Sequence, residues 1–317
     1  MARIVSAEGA RRFLSSPSSQ VSVIVPCYNQ GRFLHDSLQS IRAQSHAAVE
    51  SILVDDGSTD DTASKAATMP WTRYVLQRNA GAPAARNTGL SHSRGAFVVF
   101  LDADDRLLPD AIATGLAALR LHPEWGFVTG HLQLIAENGS ALHVPPQNHA
   151  DPPTYADLLR SNYIWTPGVV MYRRDVLGEA PFRSVGGGSA DFELNLRLAR
   201  QRSFGCHHHI VLEYRHHGAN MSGDARLMLR SAVRVRKAER RYVRASAERR
   251  RALADGIEIV RADFGGRVVE QVRAACRSPR RWPEAAAGLA CLMRHHPAGI
   301  TKLVTAALAK VRSAYRW

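Results

Sequence analysis

Residues 96–105, "AFVVFLDADD", run an unbroken apolar segment straight into three carboxylates. A continuous rather than alternating apolar run reads as a strand buried on both faces, the kind found in the parallel sheets of α/β proteins. Crowding Asp102, Asp104 and Asp105 at its end costs free energy through like-charge repulsion, so a cation or a solvated turn must offset it.

The same pattern recurs upstream. "VSVIVP" at 21–26, "SILVDD" at 51–56 and "TRYVLQ" at 72–77 read as further strands, and the amphipathic stretches between them read as helices. "GRFLHDSLQSIRAQ" places Phe33, Leu34, Leu38 and Ile41 on one helical face. Ser58 and Thr59 are expected to cap the helix in "GSTDDTASKAATM", and "APAARNTGLSHS" supplies a third. Strands alternating with helices predict an α/β sandwich around a mostly parallel sheet, with ligands bound beyond the carboxyl ends of the strands. By that rule Tyr28 and Asn29, Asp55 and Asp56, and the three aspartates of the opening stretch converge on one rim.

Composition sets the outer limits. The 317 residues are 45% hydrophobic, enough for a full core with an appendage. The cysteines Cys27, Cys206, Cys276 and Cys291 lack CxxC spacing, which predicts a reducing compartment without disulfides. No segment has the apolar length of a spanning helix or the layout of a signal peptide, so a cytoplasmic protein is expected. The net charge of +14 is unevenly placed: residues 1–224 hold 20 Lys+Arg and 21 Asp+Glu, residues 225–317 hold 22 and 7. The shift sets a boundary after residue 224, so the predicted organisation is an N-terminal extension at 1–20, a globular part whose halves divide at 130/131, and a basic helical region at 225–317. Nucleic acid is not the expected partner. Residues 225–281 offer little base-stacking character beyond Tyr242 and Phe264 and contain no binding motif.

A divalent cation with a preference for hard oxygen would relieve the repulsion among Asp102, Asp104 and Asp105 and leave positions open for diphosphate oxygens. Together "VSVIVPCYNQGRFLHDSLQSIRAQ", "ILVDDGSTDDT", "NAGAPAARNTGLSHSRGAFVVFLDADD", "ADFELNLRLA" and "YRHHGANMS" resemble the inverting family 2 glycosyltransferases of GT-A fold, over about residues 20–223. The resemblance implies transfer of a sugar from a nucleoside diphosphate donor, UDP-linked, to a hydroxyl acceptor on a glycan, polysaccharide or glycolipid. It makes 21–130 the nucleotide-sugar-binding half and 131–224 the acceptor-binding half with the catalytic base, and assigns Pro26, Tyr28 and Asn29 to the nucleotide pocket, Asp56 to the base with Asp55 supporting its loop, and Arg86 to the base or phosphates. Asp102 and Asp104 match the DxD pair that holds sugar nucleotide and Mg²⁺ or Mn²⁺, with Asp105 a further candidate ligand. The general base that an acceptor hydroxyl needs is implied to be Asp191, with Glu193 the alternative. Ala190 stands where the commoner pattern has a further acid. His217 matches the histidine of a Tyr-Arg-x-His segment near the diphosphate.

Four readings come from the residues alone. Trp165 in "NYIWTPGVVMYRRDVL" could stack on an acceptor sugar or belong to the core. The glycines 186–188 give a pliable backbone suited to a closing loop or a plain connector. His207, His208 and His209, consecutive on a strand, would face alternate sides and make poor joint ligands for one ion. Near the C-terminus, Ile300, Leu303, Val304, Ala307, Leu308, Val311 and Tyr315 form an apolar stripe, with Lys302, Lys310, Arg312 and Arg316 away from it. Such a helix could lie on an anionic membrane or pack against the protein. The competing readings are a sugar-phosphate nucleotidyltransferase, which should carry a glycine-rich basic loop that "PCYNQGRFL" does not provide, and a sugar-nucleotide binder without activity.

Overall fold

The computed structural model describes residues 20–147, 150–301 and 303–305, with 184–186 as backbone only. The chain divides into two compact units. The first contains most residues up to His217, and the second contains Ala156–Ser161, Val185–Ser189 and the described residues from Gly218 onward. The N-terminal extension, Lys302 and the stripe beyond 305 lie outside the described residues.

The first unit is built on an eight-stranded sheet of order β3-β2-β1-β4-β7-β6-β8-β5. Its strands are β1 (Val21–Cys27), β2 (Val49–Asp55), β3 (Thr72–Leu76), β4 (Phe97–Phe100), β5 (Arg106–Leu107), β6 (Trp125–Ala136), β7 (Val170–Arg173) and β8 (Ser203–His216). β3, β2, β1 and β4 are parallel, as their continuous apolar runs predict, and β1 and β4 are buried throughout. The other half adds antiparallel strands to a sheet whose pairings remain mostly parallel, as expected. β7 enters antiparallel between β4 and β6, β5 pairs antiparallel with β8, and β6 pairs with β8 in parallel. The sheet is mixed because β7 runs back against β4 instead of continuing the crossover pattern.

Helices α1 (Gly31–Arg42), α2 (Thr62–Ala67), α3 (Ala82–Ser91), α4 (Ala111–Leu121) and the short α6 (Arg174–Leu177) belong to this unit, as does α7 (Ala190–Ala199). α1 buries Phe33, Leu34, Leu38 and Ile41. α3 lies so close to the sheet that a Cβ on Gly89 would stand 2.2 Å from Ile24 Cγ2. The N-terminal amides of α1 and α2 are served by neither Ser58 nor Thr59. Asp60 takes that part, accepting from Gly31 N at 2.9 Å through Oδ2 and from Thr62 N at 3.1 Å through Oδ1.

The second unit is helical. It holds most of α5 (Tyr155–Arg160), α8 (Ala225–Ala238), α9 (Ala247–Val260), α10 (Gly266–Ala275) and α11 (Trp282–His295), and a π-helical turn, Arg261–Gly265, joins α9 to α10. Leu229, Val233, Val260, Val268, Val272 and Leu292 form its core, and Ile300 and Leu303 of the C-terminal stripe pack on that cluster. Asp224 caps α8 by accepting from Arg226 N and Leu227 N. Arg230, Arg234 and Lys237 are exposed along α8, whereas Arg236 is fully buried and donates to the Leu159 carbonyl at 3.0 Å. No helix among the described residues is long and apolar enough to cross a membrane. All four cysteines are free.

Candidate active site

Parallel pairing of β2, β1 and β4 brings their carboxyl ends to one edge of the sheet. Pro26 is buried in β1, and Tyr28 just beyond it is 49% exposed, a free aromatic face at the rim. Asn29 takes a left-handed conformation, φ 54°, which asparagine tolerates better than most residues. Its Oδ1 accepts from Thr59 N at 2.8 Å, tying the end of β1 to the turn after β2.

Asp55 accepts from Ser58 N at 2.8 Å and from the Tyr74 hydroxyl at 2.7 Å. Burial, with Asp55 beside it, pushes the Tyr74 hydroxyl up to about 12. Asp56 is buried and already accepts three hydrogen bonds, from Gln77 Nε2 at 2.7 Å, Ala80 N at 2.8 Å and Gly81 N at 2.8 Å. A carboxylate offers about four acceptor positions, so Asp56 chiefly shapes the 77–81 loop and keeps about one for a ligand.

At the end of β4, Asp102 Oδ1 accepts from the buried Arg86 guanidinium at 2.6 Å, and its Oδ2 lies 3.5 Å from Thr166 Oγ1. Asp104 Oδ2 is 2.9 Å from His217 Nε2, whose ring lies over Phe33 at 4.9 Å. Burial and then the neighbouring Asp102 raise the Asp104 carboxyl above the usual carboxylate range, against the pull of His217. Asp105 is 1% exposed; its Oδ1 accepts from Arg215 N at 3.0 Å, while its buried Oδ2 has no hydrogen-bond partner. Burial, with Asp104 and Asp102 beside it, holds its proton still more tightly. This is an acidic cluster short of positive charge. Its hard oxygen donors, with an imidazole beside them, fit a divalent cation of the Mg²⁺ or Mn²⁺ type.

α7 opens one residue before Asp191, after a tight turn in which Gly187 has φ 54°, ψ −127°. That backbone is open to glycine and strained for most other residues. Burial raises the Asp191 carboxyl and the Arg86 guanidinium opposes the shift, so Asp191 shares the electrostatic surroundings of Arg86 and Asp102. Glu193, two residues on and therefore well round the helix, is turned to Arg197 at 3.4 Å and Arg183 at 3.7 Å. Trp165 is 47% exposed, which settles it outside the core, and it adjoins Thr166.

Residues 22–179 match the family model described as Glycosyl transferase family 2. This chain carries a glycosyltransferase family 2 domain. The "Uncharacterized glycosyltransferase YibD" of Escherichia coli K12 is 30% identical over 191 residues, covering 55% of this chain and 54% of the relative. The "Putative teichuronic acid biosynthesis glycosyltransferase TuaG" of Bacillus subtilis is 34% identical over 174 residues, 52% of this chain and 66% of its own length. The chain thus spans about half to two thirds of these two relatives. Solved structures share the fold at low identity. A TarS fragment from S. aureus, residues 1–349 in complex with UDP, is 19% identical with TM-score 0.63 over 90% of this chain and 83% of that one. The mannosyltransferase PcManGT from Pyrobaculum calidifontis, in complex with GDP-Man and Mn²⁺, is 20% identical with TM-score 0.55, covering 93% and 92%.

The first unit also brings forward residues to which the sequence reading gave no part. Arg215, 1% exposed, donates to the Asp104 carbonyl at 2.8 Å, the Glu137 carbonyl at 2.8 Å and Asp36 at 2.9 Å. It fixes the turn that presents Asp104. Its signal was present in "YRHHGANMS", beside the histidine that was singled out. Thr166 against Asp102, and Asn87 clipped to the Phe182 backbone at 2.8 and 3.0 Å, had no sequence signal, because nothing local marks a partner 64 or 95 residues away.

Proposed function

We propose that this chain is an inverting glycosyltransferase that moves a sugar from a nucleoside diphosphate, UDP-linked, to a hydroxyl acceptor on a glycan, polysaccharide or glycolipid. One observation carries the reading: Arg86, Asp102 and Asp191, far apart in sequence, form a single electrostatic group beside the acidic end of β4. Tyr28 stacks on the base, Asn29 and the loop held by Asp55 and Asp56 line it, and Arg86 is the cation beside the phosphates. Asp104, with Asp102, would hold the divalent cation, with Asp105 and His217 supporting Asp104. That cation, when bound, neutralises charge on the diphosphate as it leaves.

Asp191 accepts the acceptor's hydroxyl proton as that oxygen bonds to the anomeric carbon and the bond from this carbon to the diphosphate oxygen breaks. A single displacement inverts the anomeric configuration. Glu193, engaged by two arginines, positions α7 and does not take the proton. Trp165 offers an exposed ring for the acceptor, and the basic second unit gives peripheral contact with an anionic membrane surface.

Calorimetric titration with UDP, GDP and dTDP, each with and without Mn²⁺, tests the donor half. Binding of UDP strengthened by Mn²⁺ is expected. A preference for GDP or dTDP would overturn the UDP assignment, and failure of all three would overturn the nucleotide site.

A further inference from the structure

A second group of ligand-type side chains lies elsewhere on β6 and β8. These strands pair with Thr129 opposite Cys206 and next with His131 opposite Ile210, so His207, His208 and His209 bulge out against the single Gly130. His208 is forced to φ 58°, a left-handed conformation that strains most non-glycine residues. Gly130 makes the room: a Cβ there would stand 2.4 Å from the His207 ring. The bulge folds Cys206 and His208 toward His131, and one ligand atom from each lies within 4.8 Å of the other two.

We propose that His131, Cys206 and His208 bind a borderline-soft divalent cation of the Zn²⁺ class, with a fourth position left to solvent. Tetrahedral zinc, with sulfur at about 2.3 Å and nitrogen at about 2.0–2.1 Å, sets its sulfur and nitrogen ligands about 3.6 Å apart. The separation from Cys206 Sγ to His131 Nε2 is 3.6 Å. Asp151 Oδ2 lies 3.6 Å from His208 Nε2 and adds a carboxylate beside the group. One thiolate and two imidazoles suit this class of ion, whereas the all-oxygen cluster at the end of β4 suits a harder one, so the two sites select differently. Binding breaks the Cys206 S–H bond, forms the sulfur–metal bond and releases the proton to solvent. Of the consecutive run 207–209, this set uses His208 alone. The ion instead takes its members from two strands, which the sequence reading did not foresee.

Cobalt(II) is the probe, added to the metal-free full-length chain. A thiolate-to-cobalt charge-transfer band in the near ultraviolet should saturate at one equivalent and disappear on adding Zn²⁺. Cys206→Ser and His208→Asn should each remove it, while Asp104→Asn keeps it. Asparagine tolerates the left-handed backbone, so His208→Asn serves even if Cys206→Ser fails to fold. Absence of the band in the wild-type chain, or its survival in either of these two variants, overturns the proposal. The band does not depend on sugar transfer, so this test and that of the proposed function fail separately.

Discussion

Asp191 is the residue on which the proposed chemistry turns. Asp191→Asn should lower kcat about 10²–10⁴-fold, the share usually carried by a positioned base, while the donor's Kd by calorimetry stays near wild type. Glu193→Gln should leave most activity in place. The pH dependence follows from the cause of the shift. Burial makes the Asp191 carboxyl hold its proton more tightly than a free carboxylate, with Arg86 opposing. A base works ionised, so turnover should be full at higher pH and fall as pH drops through a value above the ordinary carboxylate range; a profile flat down to pH about 4 would refute it. At the acidic cluster, Mn²⁺ should raise the melting temperature of the wild-type chain by binding the native state. Thermal scans of Asp104→Asn should show that rise abolished.

Elements explain what could be read in advance and what could not. β1, β2 and β4 were legible because a strand buried on both faces must be apolar throughout, and Asp55, Asp56 and Asp102 were placed because parallel strands end on one edge. β7 and its antiparallel entry were hidden, since "VVMY" looks the same in either direction. The part of Asp60 was missed because Ser58 and Thr59 are equally good capping types, and only the approach of α1 selects among them. Similarly, the partners of Asp56 depend on the return of the 77–81 loop. Gly89 was quoted inside "APAARNTGLSHS" without its reason. Gly89→Ala should cost about 1–3 kcal/mol by urea unfolding, because the added methyl group drives α3 off Ile24 of β1.

Across the whole molecule, the charge asymmetry has a checkable reading. With Arg230, Arg234 and Lys237 exposed on α8, the chain should sediment with vesicles that contain anionic lipid, and less so as salt rises. Reversing these three charges to glutamate should release it without changing UDP binding. The mixed sheet also carries a timetable. β1, β2 and β3 meet through short crossovers, whereas Trp125 pairs with Ser203 and Phe97 with Arg173, contacts that close only after long stretches of chain have been gathered. Loop closure makes such pairings late. Pulse-labelled hydrogen exchange during refolding should therefore find the amides of β1 and β2 protected while those of β8 still exchange, so the edge proposed to receive the nucleotide would be assembled before the strand bearing Arg215 arrives to brace it.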